Sequence, residues 1–298
     1  KMKIKKKTFL ITGANGFLAS NIIKTLVKQE CLIYAVINKS LKNLDKSNNI
    51  KVIQQNLALP ITKKFPKKVD YVLHFASSPN DRHSVSNFKH LMLENTLIDI
   101  NFFNFCKKIK FKKFLYASSS SVYDDKKLLK KNVCKEAKIS PPYNPDELYG
   151  FSKLMSEKYL DALNFNFIIC RIFSIYGDHS KTIINYWNDL IKKDKNIEIW
   201  GNPKTNRSWL HINDFVDAIL KVLLSNHDYK YFNIASDENL KLIEIFKKMK
   251  KFHKNTKSKV LFKNKEAGPI NRFAKRKNLN TLNFKQKIYL VDWLKFIN

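Results

Sequence analysis

Glycine is scarce, at only 6 of 298 residues, while hydrophobic residues make up 44% and aromatics 13%. That balance excludes a collagen-like or linker-rich chain and implies a globular protein with a substantial buried core. Cysteine is also sparse. Cys31, Cys106, Cys134 and Cys170 stand far apart without a C-x-x-C pair, which argues against a disulfide frame or zinc site and fits reduced thiols in a cytoplasm. No spacing of His, Cys, Asp and Glu suggests a metal site. There is no uninterrupted apolar run of roughly 18 residues, so a membrane span is not expected. The opening "KMKIKKKTFLITGANG" has a charged front, but its apolar run stops at Gly13, and no export signal is read from it.

Acidic residues are few as well: 25 against 56 Lys and Arg, a formal net charge of +31. Such a charge favours an anionic partner. The lysines are spread along the whole chain, however, and arginine occurs only at positions 82, 171, 207, 272 and 276. That distribution reads as a composition bias rather than a nucleic-acid or membrane face, and neither partner is expected.

What is present is alternation. Short runs rich in Val, Ile, Leu and Phe occur at 8–12, 32–37, 50–56, 71–76, 113–118 and 165–173, separated by helical patterns that include one to about residue 28, one over 88–109 and one holding Tyr149. Buried strands interleaved with helices indicate an α/β fold, a Rossmann-type doubly wound parallel sheet. Beyond about 175 the alternation loosens, with a helical pattern at 181–193, the strand "IEIW", a helix at 213–225, a strand at 230–235, a solvated loop or frayed helix end near 251–259, and a last helix at 287–297. The reading is a dinucleotide-binding domain over 1–175, to which 206–235 returns, and a smaller α+β substrate-binding domain over 176–298.

The first strand runs into "TGANGFLAS", residues 12–20, and then a helix. Gly13 and Gly16 permit a tight turn and let a phosphate approach the backbone N–H groups at the positive end of the helix, with small Ala19 where helix meets sheet. A dinucleotide is the expected ligand. At the end of the second strand, where a carboxylate would take the ribose hydroxyls of NAD, stand Asn38 and Lys39, with Lys42 nearby. The missing negative charge tilts the reading toward NADP and leaves NAD open.

These motifs together resemble the extended short-chain dehydrogenase/reductases that modify nucleotide sugars, also described as the epimerase/dehydratase family. The resemblance runs nearly the whole length, through "TGANGFLAS", "VDYVLHFAS" (69–77), "FLYASSSSVYDD" (114–125), "YGFSK" (149–153), "RIFSIYGD" (171–178), "NRSWLHINDFVDAI" (206–219) and "YFNIAS" (231–236). It implies Tyr149 as the group exchanging a proton with a sugar hydroxyl or ketone, Lys153 as the charge beside it and the holder of the nicotinamide ribose, and Ser119 as a donor to the same substrate oxygen. A free phenol has a pKa near 10, so such a base needs neighbouring positive charge. The resemblance further implies Gly13, Asn15, Gly16, Phe17, Leu18, Asn38, Lys39, Asn56, Leu57, Phe75 and Ala76 at the cofactor, and Ser78, Ser119, Ser120, Ser174, Arg207 and Arg272 at the substrate. In a chain that almost always uses lysine, an arginine points to planar, bidentate recognition of a pyrophosphate. Arg171 reads instead as structural, His211 and Asp214 as a packing and capping pair, and His74 as a satisfied core histidine.

Three positions depart from the family pattern: Ser174 for asparagine, Asp178 for proline, and Asn56 for the aspartate that commonly faces adenine. Ser120 and Ser121 replace the acidic pair of the dehydratases, which leaves reduction of a 4-keto sugar or C4 epimerisation. The tail and the length tilt the expectation to a 4-ketoreductase of a deoxysugar nucleotide, with a 4-epimerase as the alternative. A non-catalytic nucleotide- or RNA-binding protein is the more remote rival. Helices 88–109 and 143–162 are those through which this family commonly forms a homodimer.

Overall fold

A computed structural model describes residues 4–78, 88–123, 134–136, 148–202, 205–254, 256–263, 271–272 and 274–297, excluding the side chains of 88–92 and 271–272. Seven strands form one parallel sheet: β1 (Thr8–Thr12), β2 (Leu32–Ile37), β3 (Ile50–Gln54), β4 (Tyr71–His74), β5 (Lys113–Ser119), β6 (Phe167–Ile172) and β10 (Tyr231–Ile234). Their spatial order is β10-β6-β5-β4-β1-β2-β3. The chain starts in the middle, runs out to β3 and crosses back to β4. A crevice therefore opens at the carboxyl ends of β1 and β4, the place where such sheets bind ligands.

The continuous apolar runs follow from burial on both faces. On one face α1 (Phe17–Val27) and α5 (Ile212–Leu224) pack on the sheet, with Ile22, Ile23, Leu26, Phe215, Ile219 and Leu223 fully enclosed. On the other, α2 (Phe88–Cys106) and α3 (Leu148–Asp161) contribute Phe102, Phe103 and Leu160 to a core with Leu10, Val72, Phe114 and Ile169. Burying a side chain of this size stabilises by roughly 1.5–3 kcal/mol, so these two layers hold the strand ends in register.

The later part of the chain forms a second layer. Strands β7 (Ser174–Tyr176), β9 (Asn206–His211), β11 (Asn239–Lys241) and β13 (Asn271–Arg272) make a mixed sheet, and β8 (Ile197–Trp200) pairs in parallel with β12 (Val260–Lys263). Helices α4 (Ile183–Lys192), α6 (Leu242–Phe252) and α8 (Leu290–Phe296) close over a core of Trp187, Ile199, Phe246, Met249 and Trp293. A short helix, α7 (Lys277–Thr281), packs near β10.

Several details differ from the sequence reading. Of 206–235, the part that enters the main layer is α5 and β10, while β9 belongs to the second sheet. Strands β7, β11, β12 and β13 have two to four residues each, too short for an alternating pattern to stand out. In 251–259, expected as a solvated loop or frayed helix end, α6 ends at Phe252 and the described residues beyond it are tied down by hydrogen bonds. The Thr256 hydroxyl bonds the Ile191 carbonyl, Asp194 and Asn196 side chains accept from the Lys257 and Lys259 N–H groups, and Ser258 is fully buried. The last helix begins at Leu290 because Asp214 takes the N–H groups of Lys287 and Ile288 at 3.0 and 2.8 Å. All four cysteines are free and buried. Among the described residues, no helix is long and apolar enough to cross a membrane.

Candidate active site

Gly13 ends β1 with φ +62°, and a Cβ there would lie 2.7 Å from the carbonyl carbon and oxygen of Phe75 and from the nitrogen of Ala76. Only glycine fits. The turn closes with Gly16 N–H donating to the Gly13 carbonyl at 2.8 Å, and Gly16 becomes the N-cap of α1. No side chain caps this helix and its first turn holds no acidic residue. The N–H groups around Phe17 and Leu18 thus present partial positive charge to the crevice, as binding of a diphosphate requires.

The other residues expected at a cofactor line the carboxyl ends of the neighbouring strands. Phe75 and Ala76 are pinned to β1 through the Thr12 carbonyl and hydroxyl, at 3.3 and 3.1 Å. Asn38 and Lys39 follow β2 and are exposed, with no carboxylate beside them at the strand end. Asn15 clasps this loop, accepting from the Asn43 backbone and side-chain N–H groups at 2.7 Å each. After β3, Asn56 closes its own turn by accepting from Ala58, and Leu57 is buried. A glycine-walled cradle with uncapped amides suits a dinucleotide.

Next to the glycine turn lies a cavity of about 650 Å³ whose wall includes Phe17, Leu18, Phe75, Ser119, Ser120, Tyr149, Lys153 and Ser174. One turn of α3 separates Tyr149 from Lys153, so both side chains reach the same wall. Ser119, at the end of β5, accepts from the Ser121 N–H at 3.1 Å, a contact that uses its oxygen and not its hydroxyl hydrogen. Ser118 has a different task, donating to Glu157 of α3 at 2.6 Å. Glu157 in turn receives Arg171 of β6 at 3.0 and 2.7 Å, which fixes α3 against the sheet.

Behind Lys153 is a fully enclosed polar chain. Thr12 Oγ1 and His74 Nδ1 are 2.6 Å apart, His74 Nε2 lies 2.8 Å from Asp99 Oδ1, and Asp99 Oδ2 accepts from Tyr116 and Ser156 at 2.6 Å each. Lys153 Nζ sits 3.8 Å from that same oxygen and 4.8 Å from the centre of the Tyr116 ring. Burial drives the His74 imidazole below its ordinary value, toward neutrality. For Asp99, burial alone favours the neutral acid. The Lys153 charge and the hydrogen bonds from His74 and Ser156 outweigh it and hold the carboxyl below its ordinary range. Burial and the Asp99 charge raise Tyr116 well above the usual phenol range.

Asp99 carried no expectation from sequence. Its signal was there: one acid on a helical face otherwise occupied by Ile98, Phe102, Phe103 and Cys106. Also unanticipated is the wall formed by Ser180, Lys181, Thr182, Ile183 and Trp209. The Trp209 indole N–H is buried and has no hydrogen-bond partner among the described residues.

Other expected substrate residues lie apart from this wall. Ser78 is turned into α2, where its N–H reaches Asn95 at 2.8 Å and its hydroxyl Glu94 at 2.6 Å; Ser77 lines the cavity in its place. Arg207 is half-buried on β9 and donates to the Asn206 carbonyl at 2.9 Å. Its strand partner in register is Arg272 of β13, whose side chain falls outside the described residues. Arg171 is wholly buried, and His211 caps α5 by accepting from Asn213. Asp214 holds the C-terminal segment rather than that helix.

The model of the NAD dependent epimerase/dehydratase family matches residues 9–235. The chain belongs to that family. Its glycine turn, serine run and Tyr149/Lys153 helix all lie inside the matched span, so the Rossmann-type fold and the class of NAD-dependent enzyme go with the membership. An uncharacterized protein of Methanocaldococcus jannaschii, MJ1055, is 25% identical, with 98% of this chain and 95% of that protein covered. Human dTDP-D-glucose 4,6-dehydratase is 26% identical over 85% of this chain and 75% of its own. Among solved structures, UDP-N-acetylglucosamine 4-epimerase from Methanobrevibacter ruminantium superimposes with a TM-score of 0.84, 21% identity and coverage of 98% and 96%. UDP-glucuronic acid 4-epimerase from Bacillus cereus, solved with UDP-glucuronic acid and NAD, has a TM-score of 0.79 at 21% identity, covering 97% and 96%.

Proposed function

We propose that this chain is an NAD-dependent C4 epimerase of a nucleotide-diphosphate sugar. The observation that carries the reading is the convergence of Tyr149, Lys153 and Ser119 on one cavity beside the Gly13 turn. Similarity to two 4-epimerases over nearly the whole chain supports the reaction type. Ser120 and Ser121, buried at the same wall, supply no carboxylate for eliminating water.

NAD held at the Gly13 turn would supply the hydride chemistry, oxidation at the sugar C4 carbon and reduction from the opposite face of the 4-keto sugar. The residues of this chain do the rest. Tyr149 takes and restores the O4 proton, Ser119 donates a hydrogen bond to that oxygen, and Lys153 supplies positive charge and holds the nicotinamide ribose. The α1 amides neutralise the cofactor pyrophosphate. Arg207 and Arg272, neighbours in strand register, hold the nucleotide diphosphate of the substrate.

A second reading, NADP-dependent reduction of a 4-keto deoxysugar nucleotide, is favoured by one observation. The end of β2 offers exposed Asn38 and Lys39 where NAD specificity usually needs a carboxylate. We also infer a homodimer through α2 and α3, which expose Leu93, Leu97, Phe151 and Met155.

Mass spectrometry of the nucleotide retained on purification, followed by NMR of UDP-sugars incubated with the protein, tests these readings. Retained NAD with interconversion of C4 epimers and no net cofactor consumption is the expected result. Consumption of NADPH with a 4-keto sugar selects the second reading, and failure to bind either dinucleotide sinks both.

A further inference from the structure

Most buried carboxylates are either neutral or paired directly with a cation. Asp99 does neither in a simple way. It stands in the middle of α2, fully enclosed, and three hydroxyl or imidazole groups from three different elements hold its two oxygens: His74 of β4, Tyr116 of β5 and Ser156 of α3. Among the described residues the only cation paired with it is Lys153, and at 3.8 Å the ammonium is beyond hydrogen-bond distance. Its N–H groups therefore remain available toward the cavity that Lys153 lines. Among the described residues, the titratable groups facing Asp99 are His74, Tyr116 and Lys153.

We propose that Asp99 is a positioning residue for Lys153, steering the ammonium to the cavity edge and coupling it through His74 to Thr12 at the end of β1. The inference rests on the epimerase reading for what Lys153 does. The geometry favours it in two ways. A buried lysine has up to four rotatable bonds and, without an anchor, several positions; a fixed anion on one side and the Tyr116 ring beneath leave one. The anchor is also rigid where it matters, because Thr12 adjoins Gly13, which opens the glycine turn, and His74 adjoins Phe75, whose backbone stands against Gly13. The cation is thereby set by the same strands that set the cofactor cradle.

The test compares wild type with D99N, which keeps the shape and removes the charge. Binding of NADH is read by fluorescence, and kcat and KM for the nucleotide sugar by steady-state kinetics. Weakening of NADH binding by about tenfold is expected, the worth of one charge-assisted hydrogen bond. Turnover should fall on the order of 10- to 100-fold, with KM for the sugar nucleotide unchanged. A folded D99N with wild-type NADH affinity and kcat overturns the proposal, as does an effect confined to the sugar KM. If D99N does not fold, S156A removes one hydrogen bond from the same oxygen; lowered kcat and NADH affinity support the proposal and wild-type values overturn it. NADH binding needs no sugar, so a chain inactive on every nucleotide sugar would sink the proposed reaction while this comparison still decides the role of Asp99.

Discussion

Arg171 of β6 and Glu157 of α3 meet through two nitrogen–oxygen contacts of 3.0 and 2.7 Å with neither side chain open to solvent. Glu157 lies one turn beyond Lys153 on the same helix. Its job is therefore to fix how α3 sits on the sheet, and with it the distance from Tyr149 to Ser119. Removing the Glu157 charge leaves Arg171 buried with a neutral group where the carboxylate stood, although the Tyr123 hydroxyl still accepts from it at 2.8 Å. Glu157→Gln is expected to destabilise the fold by about 3–5 kcal/mol, measured by urea unfolding; a loss below about 1 kcal/mol would mean that the helix is held elsewhere.

Gly13→Ala should be severe. The left-handed backbone alone costs about 1–2 kcal/mol for a residue with a Cβ, and the new atom would meet the Phe75 and Ala76 backbone, which cannot move without disturbing β4. Expected outcomes are a lowered unfolding midpoint and loss of NAD binding by calorimetric titration. Wild-type affinity in this variant would show that the glycine turn does not cradle the cofactor.

Tyr149→Phe removes one oxygen from the cavity wall and keeps the ring. Turnover is expected to fall on the order of 10²-fold or more, while NAD affinity stays at the wild-type level. Steady-state kinetics beside cofactor titration separates the two effects, and undiminished turnover would take the phenol out of the reaction.

Glu136 makes stability depend on pH. Burial lifts its carboxyl from the ordinary 4.5 to about 7, although it accepts from the Asn233 and Asn278 N–H groups. The folded chain thus keeps a proton that the unfolded chain releases. The contribution to stability is complete below about 4.5 and is lost as pH rises through about 7. Unfolding of wild type and E136Q across that window should diverge, with wild type losing ground as pH rises; parallel curves would refute it.

Leu97→Glu with Met155→Glu places charge on the exposed apolar strip of α2 and α3. Light scattering after size exclusion should show a monomer where the unmodified chain is a dimer. An unchanged mass would put the contact on another surface.

Much of the architecture was readable along the chain. The runs at 8–12 and 32–37 coincide with β1 and β2 to the residue, because strands buried on both faces must be apolar throughout. Gly13 and the Tyr149/Lys153 spacing were equally legible, since a positive φ and an i,i+4 pair are local properties. Strands β7, β11 and β13 were not: two or three residues carry no periodicity, and partners across the sheet create them.

The sequence by itself determined a parallel α/β core, a glycine turn that admits a phosphate and a phenol one helical turn from an ammonium. Each depends only on neighbours within a few residues. Only the tertiary structure decided that Ser77 and not Ser78 faces the cavity, that Arg207 stands beside Arg272, and that Asp99 lies behind Lys153. The polar chain behind Lys153 alone spans 62 positions from Thr12 to His74 and 25 from His74 to Asp99. The register of strands and the docking of two helices set these contacts, and no local pattern records either.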